Sequence, residues 1–408
     1  MRHFKVKKGE WPSIFGAAAP QMKDNIIPAS VAILGADFPG LRPRFEVEEG
    51  TRVNVGQVLF RDRKRPKIAF VSPIDGRVSS LAYGPRKTLS ACIITAKAVA
   101  NESQSDPERP DPDDPRPVLL DRGFWPAFRT RPFGRMPEPG AQPEAVFVNA
   151  VHADRAAPDP ALVLSDQTPQ FQLGIRILTR LTEGEVFVCQ SRGTPLGPTE
   201  DRVTHAGFEG TLAAALPSTH IDRLYAPAPG REVWTIGYQD VAAIGHLFQT
   251  GQYRPNRVVA INGPAASRPR LVRTCLGAEL ADLAVPDAGE AISGNPVTGI
   301  HANYLRRFDH QVTLVEAQKA GPNRLRPAVA GQGALIPTRA LERALAVDIP
   351  PVPLLRALSV GDSEAAERLG VLALVEEDVA ALTRHCTSGA NYARLLRQVL
   401  DDLMEGAA

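Results

Sequence analysis

Cysteine is scarce in this 408-residue chain, and its four copies, Cys92, Cys189, Cys275 and Cys386, stand far apart with no Cys-x-x-Cys pair. That spacing gives no support to a zinc ribbon, a locally ligated iron–sulfur cluster or a disulfide framework, so the thiols are expected in the core. An excess of one charge is also missing. Lys and Arg number 47 against 45 Asp and Glu, a net +2, so no global field draws the chain to nucleic acid or to an anionic membrane. No run approaches the roughly 20 apolar residues of a membrane-spanning helix, and the basic start at Met1 to Gly16 has no apolar stretch behind it of the signal-peptide kind. The isolated chain is expected to be soluble and cytoplasmic, without transmembrane insertion and without a nucleic-acid partner.

Local signatures of catalysis are absent too. Gly331 and Gly333 lack a third glycine and follow no strand, there is no GxxxxGK[ST] loop or GxSxG elbow, and no HExxH occurs. His205 and His220 are too far apart to share a helical face, and acidic pairs such as Glu48-Glu49 and Asp113-Asp114 sit in turns or linkers. Read from residues alone, the chain is a multidomain α/β protein without a local catalytic motif, and no catalytic or metal-ligating residue is assigned.

What is present begins with Phe45 to Leu81, two short alternating β-type runs that face each other across a basic hairpin tip at Arg61 to Lys67. The pattern GTxVxxGQxL followed by SPxDGxV resembles the barrel-sandwich hybrid of biotinyl and lipoyl carrier domains, in which Lys64 would occupy the place of the modified lysine. Its neighbours, Arg63 and Arg65, are not those that modifying ligases read, so the tip is expected to serve as a docking surface. A strand at Val31 to Leu34 leads in and another at Ala91 to Ala96 closes the module. The Pro- and acid-rich Asn101 to Arg116 forms a linker.

Beyond the linker the pattern turns α/β. Strands are expected at Ala145 to Ala150, Val186 to Cys189, Ile221 to Leu224 and Val233 to Ile236. Helices are expected at Phe171 to Leu181 and from Asp240, as N-cap, to Gly251. That alternation suggests a largely parallel sheet covered by helices. Short strands around one short helix, from Arg257 to Gly299, fit a β-grasp module. From Thr338 the chain reads as helical, and Tyr392, Leu395, Leu396, Val399, Leu400 and Leu403 mark one apolar face of the last helix.

One constellation stands above this background. Between Phe124 and Arg135, arginines interleave with aromatics, a composition that can stack on and hydrogen-bond a planar, oxygen-bearing ring. The same composition serves single-stranded nucleic acid or an interdomain contact that no ligand touches.

Taken together, FPGLRP, GQVLFRDRKRPKIAFVSPIDGRV, FWPAFRTRPFGRMP, LTEGEVFVC, WTIGYQDVAAIGHLFQTGQ, RVVAINGPAASRPRLVRTCLGA, SGNPVTG and LLRALSVGDSEAAERLGVLALVEEDVAAL resemble, in order and over nearly the whole chain, the A subunit of the Na+-translocating NADH:quinone reductase. The resemblance implies an α+β multidomain chain. Residues 1–100 would form a barrel-sandwich (biotinyl/lipoyl-like) module, 117–255 a Rossmann-like α/β domain, 256–335 a β-grasp module of the soluble-ligand-binding (SLBB-like) type, and 336–408 a helical domain. It implies a peripheral subunit on the cytoplasmic face of the bacterial inner membrane, partnered chiefly by a membrane subunit. That complex passes electrons from NADH to ubiquinone and exports Na+. No cofactor is implied for this chain, and NADH, flavins and the iron–sulfur centre belong to partner subunits. By match of motif, quinone contacts fall to Phe128, Arg129, Arg131 and Phe133, with Phe38, Gly40 and Leu41 as the opposing wall. Two stretches depart from the family pattern: Gln318 to Pro337 is short, and Ala213 to Thr219 replaces a more glycine-rich approach. The alternatives are a docking subunit without ligand and an independent soluble binding or carrier protein.

Overall fold

The computed structural model describes residues 1–10, 19–97, 108–152, 154, 156–225, 230–284, 289–316 and 333–406. Within the N-terminal module, a three-stranded sheet (Pro43–Phe45, Val58–Asp62, Ala69–Val71) accompanies a four-stranded one in the order Ser30–Leu34, Leu89–Ala96, Gly76–Tyr83, Arg52–Val53. All of these pairings are antiparallel. Alternation does the expected work: along Gly76–Tyr83, Gly76 and Val78 are buried and Arg77 and Ser79 exposed. The rings of Phe60 and Phe70 stack at 4.6 Å in the core, where burial of each contributes ~1.5–3 kcal/mol. Gly76 is required for close approach, since a Cβ there would lie 2.3 Å from the Thr95 carbonyl.

The α/β domain is built on a six-stranded sheet in the order Arg2–Val6, Val203–Gly210, Glu185–Ser191, Ala145–Ala150, Val233–Gly237, Arg129–Arg131, parallel except for the last strand. Its central strand, Ala145–Ala150, is buried on both faces, as its unbroken apolar run requires. Two expectations fail here. Ile221 to Leu224 is not a strand but the end of the helix Pro217–Leu224; four residues with Asp222 and Arg223 between two apolar ends are too few to distinguish the two states, and Pro217 at the first turn fixes the helical one. Asp240 is not an N-cap: the helix Tyr238–Thr250 begins two residues before it, with Gly237 as the cap. Its C-terminus is as read, with Gly251 at φ 78°.

The first strands do not stay with the N-terminal module. Arg2–Val6 extends the α/β sheet beside Val203–Gly210, and Ala19–Asn25 extends the third sheet beside Arg270–Cys275. That third sheet runs Ile300–His301, Gly289–Ser293, Gln311–Glu316, Asn256–Asn262, Arg270–Cys275, Ala19–Asn25, and with the short helix Leu280–Leu283 forms the β-grasp unit. A separate apolar core holds the C-terminal helices together, with Tyr392, Leu396, Val399 and Leu400 of Tyr392–Gly406 at its centre. Most of Gln318 to Pro337, and Gly331 with it, lies outside the described residues. All four cysteines are buried free thiols, and burial pushes Cys92 and Cys275 up to about 12. Among the described residues no helix is long and apolar enough to cross a membrane.

Candidate functional site

In an open parallel sheet, a crevice forms where neighbouring strands leave the central strand in opposite directions. Here that point lies beyond the C-terminal ends of Ala145–Ala150 and Val233–Gly237. A cleft of about 270 Å³ occupies it. Asn149, Val151 and Gly237 form its floor. Glu10 closes one side, Gly294 to Asn295 and Phe308 to Gln311 come from the β-grasp unit, and Glu377, Asp378 and Ala381 come from the helical domain. Its walls therefore come from four parts of the chain. Ala213, Ala215, Leu216 and Pro217 supply an apolar wall.

The charged groups around the cleft are tied into pairs. Asp240 accepts from Arg307 Nη2 at 2.7 Å and from Arg257. Burial alone would raise its pKa, but the two guanidiniums outweigh it and hold the carboxyl below its ordinary value. Asp309 is pushed up to about 6 by burial, against Arg306 and a 2.8 Å hydrogen bond from Ser293. Asp378 is likewise pushed up to about 6 by burial, although Arg131 opposes the shift. Its carboxyl accepts from Ser218 Oγ and from the Val375 amide at 2.7 Å. His310 is lowered to about 4 by burial and by Arg257.

The residues expected to hold a ring divide into two groups. Phe38, Phe128 and Arg129 meet around Phe308: Phe38 lies 6.3 Å from the Phe308 ring and the Arg129 guanidinium 5.0 Å over it. The gap left among them is only about 10 Å³, room for one water at most. Phe38, Leu41 and Phe128 are at most 4% exposed, and Phe128 packs between Trp125 and Trp234. Gly40, at φ 75°, allows Arg135 to reach the Pro39 carbonyl at 2.6 Å; a Cβ on it would lie 2.5 Å from Arg135 Nη1.

Arg131 and Phe133 point elsewhere. Arg131 is buried 3.6 Å from Glu377, and its Nε has no hydrogen-bond partner among the described residues. Phe133 packs on the helical domain, where its carbonyl accepts from Arg397 at 2.8 Å. Arg129 also lines the 270 Å³ cleft, and its Nη1 lies 3.3 Å from Glu377. It thus joins the aromatic group to the only one of these two spaces that could admit a ring. The sequence reading missed Phe308, Asp309 and Glu377. Arg306-Arg307-Phe308 carries the same arginine–aromatic signal as the Phe124 to Arg135 stretch and could have been found by it. Among the described residues no group of three or more His, Cys, Asp or Glu side chains is placed to hold a metal ion.

Comparison with known families gives three domain matches. Residues 4–97 match the NqrA N-terminal barrel-sandwich hybrid domain, 113–253 the NqrA second alpha/beta domain and 258–303 the NQRA C-terminal domain. The A subunit of the Na(+)-translocating NADH-quinone reductase of Serratia proteamaculans is 36% identical, covering 97% of this chain and 98% of its own. Its counterparts from Neisseria meningitidis serogroup A and Yersinia pestis are 33% and 34% identical, each covering 98% of this chain and 99% of its own. A solved NAD+-reducing [NiFe]-hydrogenase aligns over 73% of this chain and 62% of its own at 13% identity, but with a TM-score of 0.37 it carries no argument. Near-full-length identity above 30%, on top of three matching domains in order, means that the chain belongs to the A-subunit family of the Na(+)-translocating NADH-quinone reductase.

Proposed function

We propose that the protein is a peripheral subunit of a Na+-translocating NADH:quinone reductase, contributing to quinone binding and docking on the membrane subunits at the cytoplasmic face. NADH, flavins and the iron–sulfur centre are carried by its partners, and electron transfer to ubiquinone is coupled there to Na+ export. The observation that carries the quinone reading is the position of Arg129 between the 270 Å³ cleft and the Phe308 ring. A guanidinium there can donate to a quinone oxygen while the aromatic face supports the ring. Phe38, Gly40, Leu41, Phe128 and Phe133 act as wall and scaffold, and Arg131 holds Glu377 beside Arg129. The contribution to catalysis is positional.

Saturable binding of a quinone analogue to the purified chain tests this. A charged hydrogen bond is worth ~1.5–3 kcal/mol, so Arg129→Ala is expected to weaken binding about 10- to 100-fold in a chain that still unfolds cooperatively, and Arg131→Ala to weaken it less directly. Absence of saturable binding would favour the second reading, a docking subunit without ligand, which the near-complete burial of Phe38, Leu41 and Phe128 also supports. A pull-down from detergent-solubilised native membranes tests the assembly: without flavin- and iron-containing partners, the subunit reading fails.

A further inference from the structure

The N-terminal module brings three cationic segments to one end. Arg42 to Phe45 runs between two turns. On one side the amide of Arg63, at the hairpin tip, donates to the Arg42 carbonyl at 2.7 Å. On the other the Leu89 amide donates to the Leu41 carbonyl at 3.0 Å, which places the Pro85–Lys87 turn alongside. The rings of Phe45 and Tyr83 meet at 5.4 Å, and Tyr83 remains 55% exposed.

The arginines of this region serve two purposes. Arg61 pairs with Glu46 and Asp121, and Arg65 with Asp62 and the Met136 carbonyl, so these two fasten the hairpin to its neighbours. Arg63, Lys64, Lys67, Arg86 and Lys87 are exposed, and no ion pair among the described residues uses them. Five unpaired cations in two adjoining turns repel one another, and nothing in the fold requires them there.

We infer that this end of the module is a contact surface for anionic lipid headgroups. Two features favour a lipid surface over a protein. Long cationic stems without fixed acceptors suit a diffuse anionic plane, and clusters of this size are what such planes attract. The exposed apolar component is a single tyrosine beside a half-buried phenylalanine. Such a ring sits well at a membrane–water interface, whereas a protein interface would be expected to present a larger buried anchor. The inference rests on these residues and is independent of the quinone reading.

Sedimentation of the full chain with phosphatidylcholine vesicles, with and without phosphatidylglycerol, tests it. Binding is expected only with the anionic lipid and is expected to fall steeply with salt. Replacing three charges together, Arg63→Gln, Lys64→Gln and Lys67→Gln, should weaken partitioning about a hundredfold, with the melting temperature unchanged. Tyr83→Ser should weaken it several-fold while leaving the salt dependence as it was. Equal binding to both vesicle types, or full binding by the triple variant, would overturn the inference. So would a chain that ignores vesicles but loses its membrane subunits in a pull-down when the three charges are removed, since the patch would then read a protein surface.

Discussion

Asp240 offers a test of whether burial or distance sets the worth of an ion pair in this protein. Its side chain is 5% exposed and lies 2.7 Å from Arg307, with Arg257, 1% exposed, on the same carboxylate. At the surface, Glu200 lies at the same 2.7 Å from Arg176, but the two are 39% and 52% exposed. Distance alone would make Asp240→Asn and Glu200→Gln equal. Burial separates them: removing one partner of a buried pair leaves an uncompensated charge at ~3–5 kcal/mol, whereas an exposed pair is worth ~0–1 kcal/mol. Asp240→Asn strands two guanidiniums at the junction between the helix Tyr238–Thr250 and the β-grasp strand Asn256–Asn262. Urea unfolding at neutral pH should therefore show a loss of about 3 kcal/mol or more, with hydrogen exchange along Asn256–Asn262 accelerated, and Glu200→Gln should lie within about 1 kcal/mol of the parent. The depressed pKa of Asp240 adds a sign: its stabilisation is present above the ordinary carboxylate value and is lost as pH falls through the lower folded value. A loss below ~1 kcal/mol for Asp240→Asn would refute the account.

Asp378 titrates in the opposite sense. Its folded pKa of about 6 lies above the ordinary value, so its contribution is complete below about pH 4 and is lost as pH rises through about 6. Asp378→Asn should flatten the stability profile between those limits, by ~3 kcal/mol at most, as read from urea midpoints across pH. Gly40→Ala should cost ~1–3 kcal/mol in thermal melts, because the left-handed backbone and the 2.5 Å approach to Arg135 both oppose a Cβ. Leu396→Ala, at the fully buried centre of the helical domain, should cost ~2–5 kcal/mol, and limited proteolysis should then cut that domain first.

Legibility followed the range of the interaction that decides each element. The last helix was readable because its apolar face repeats within its own sequence, and Tyr392, Leu396, Val399 and Leu400 are the residues it buries. The hairpin across Arg61 to Lys67 was readable from alternation and turn chemistry. Arg2–Val6 was not, since its partner Val203–Gly210 lies two hundred residues away and nothing local selects a sheet edge. The same limit applied to the site. The composition of Phe124 to Arg135 was visible, but the strand period of two puts Arg129 and Arg131 on one side, where both meet Glu377. Glu377 belongs to a domain whose docking no local pattern encodes.

The arginines show how one composition serves two ends. Where domains meet, each is committed: Arg306 to Asp37, Arg307 to Asp240, Arg135 to Asp401, Arg129 to Glu377. These pairs set the N-terminal module, the α/β domain, the β-grasp unit and the helical domain around the cleft, so its shape depends on all four remaining in register. At the outer end of the N-terminal module the cations are left uncommitted. Folding gains little from an exposed pair and loses by crowding like charges, so stability accounts for the inward set and gives no reason for the outward one. The outward set is explained by what the protein meets, and neutralising it should leave the fold intact while weakening the encounter.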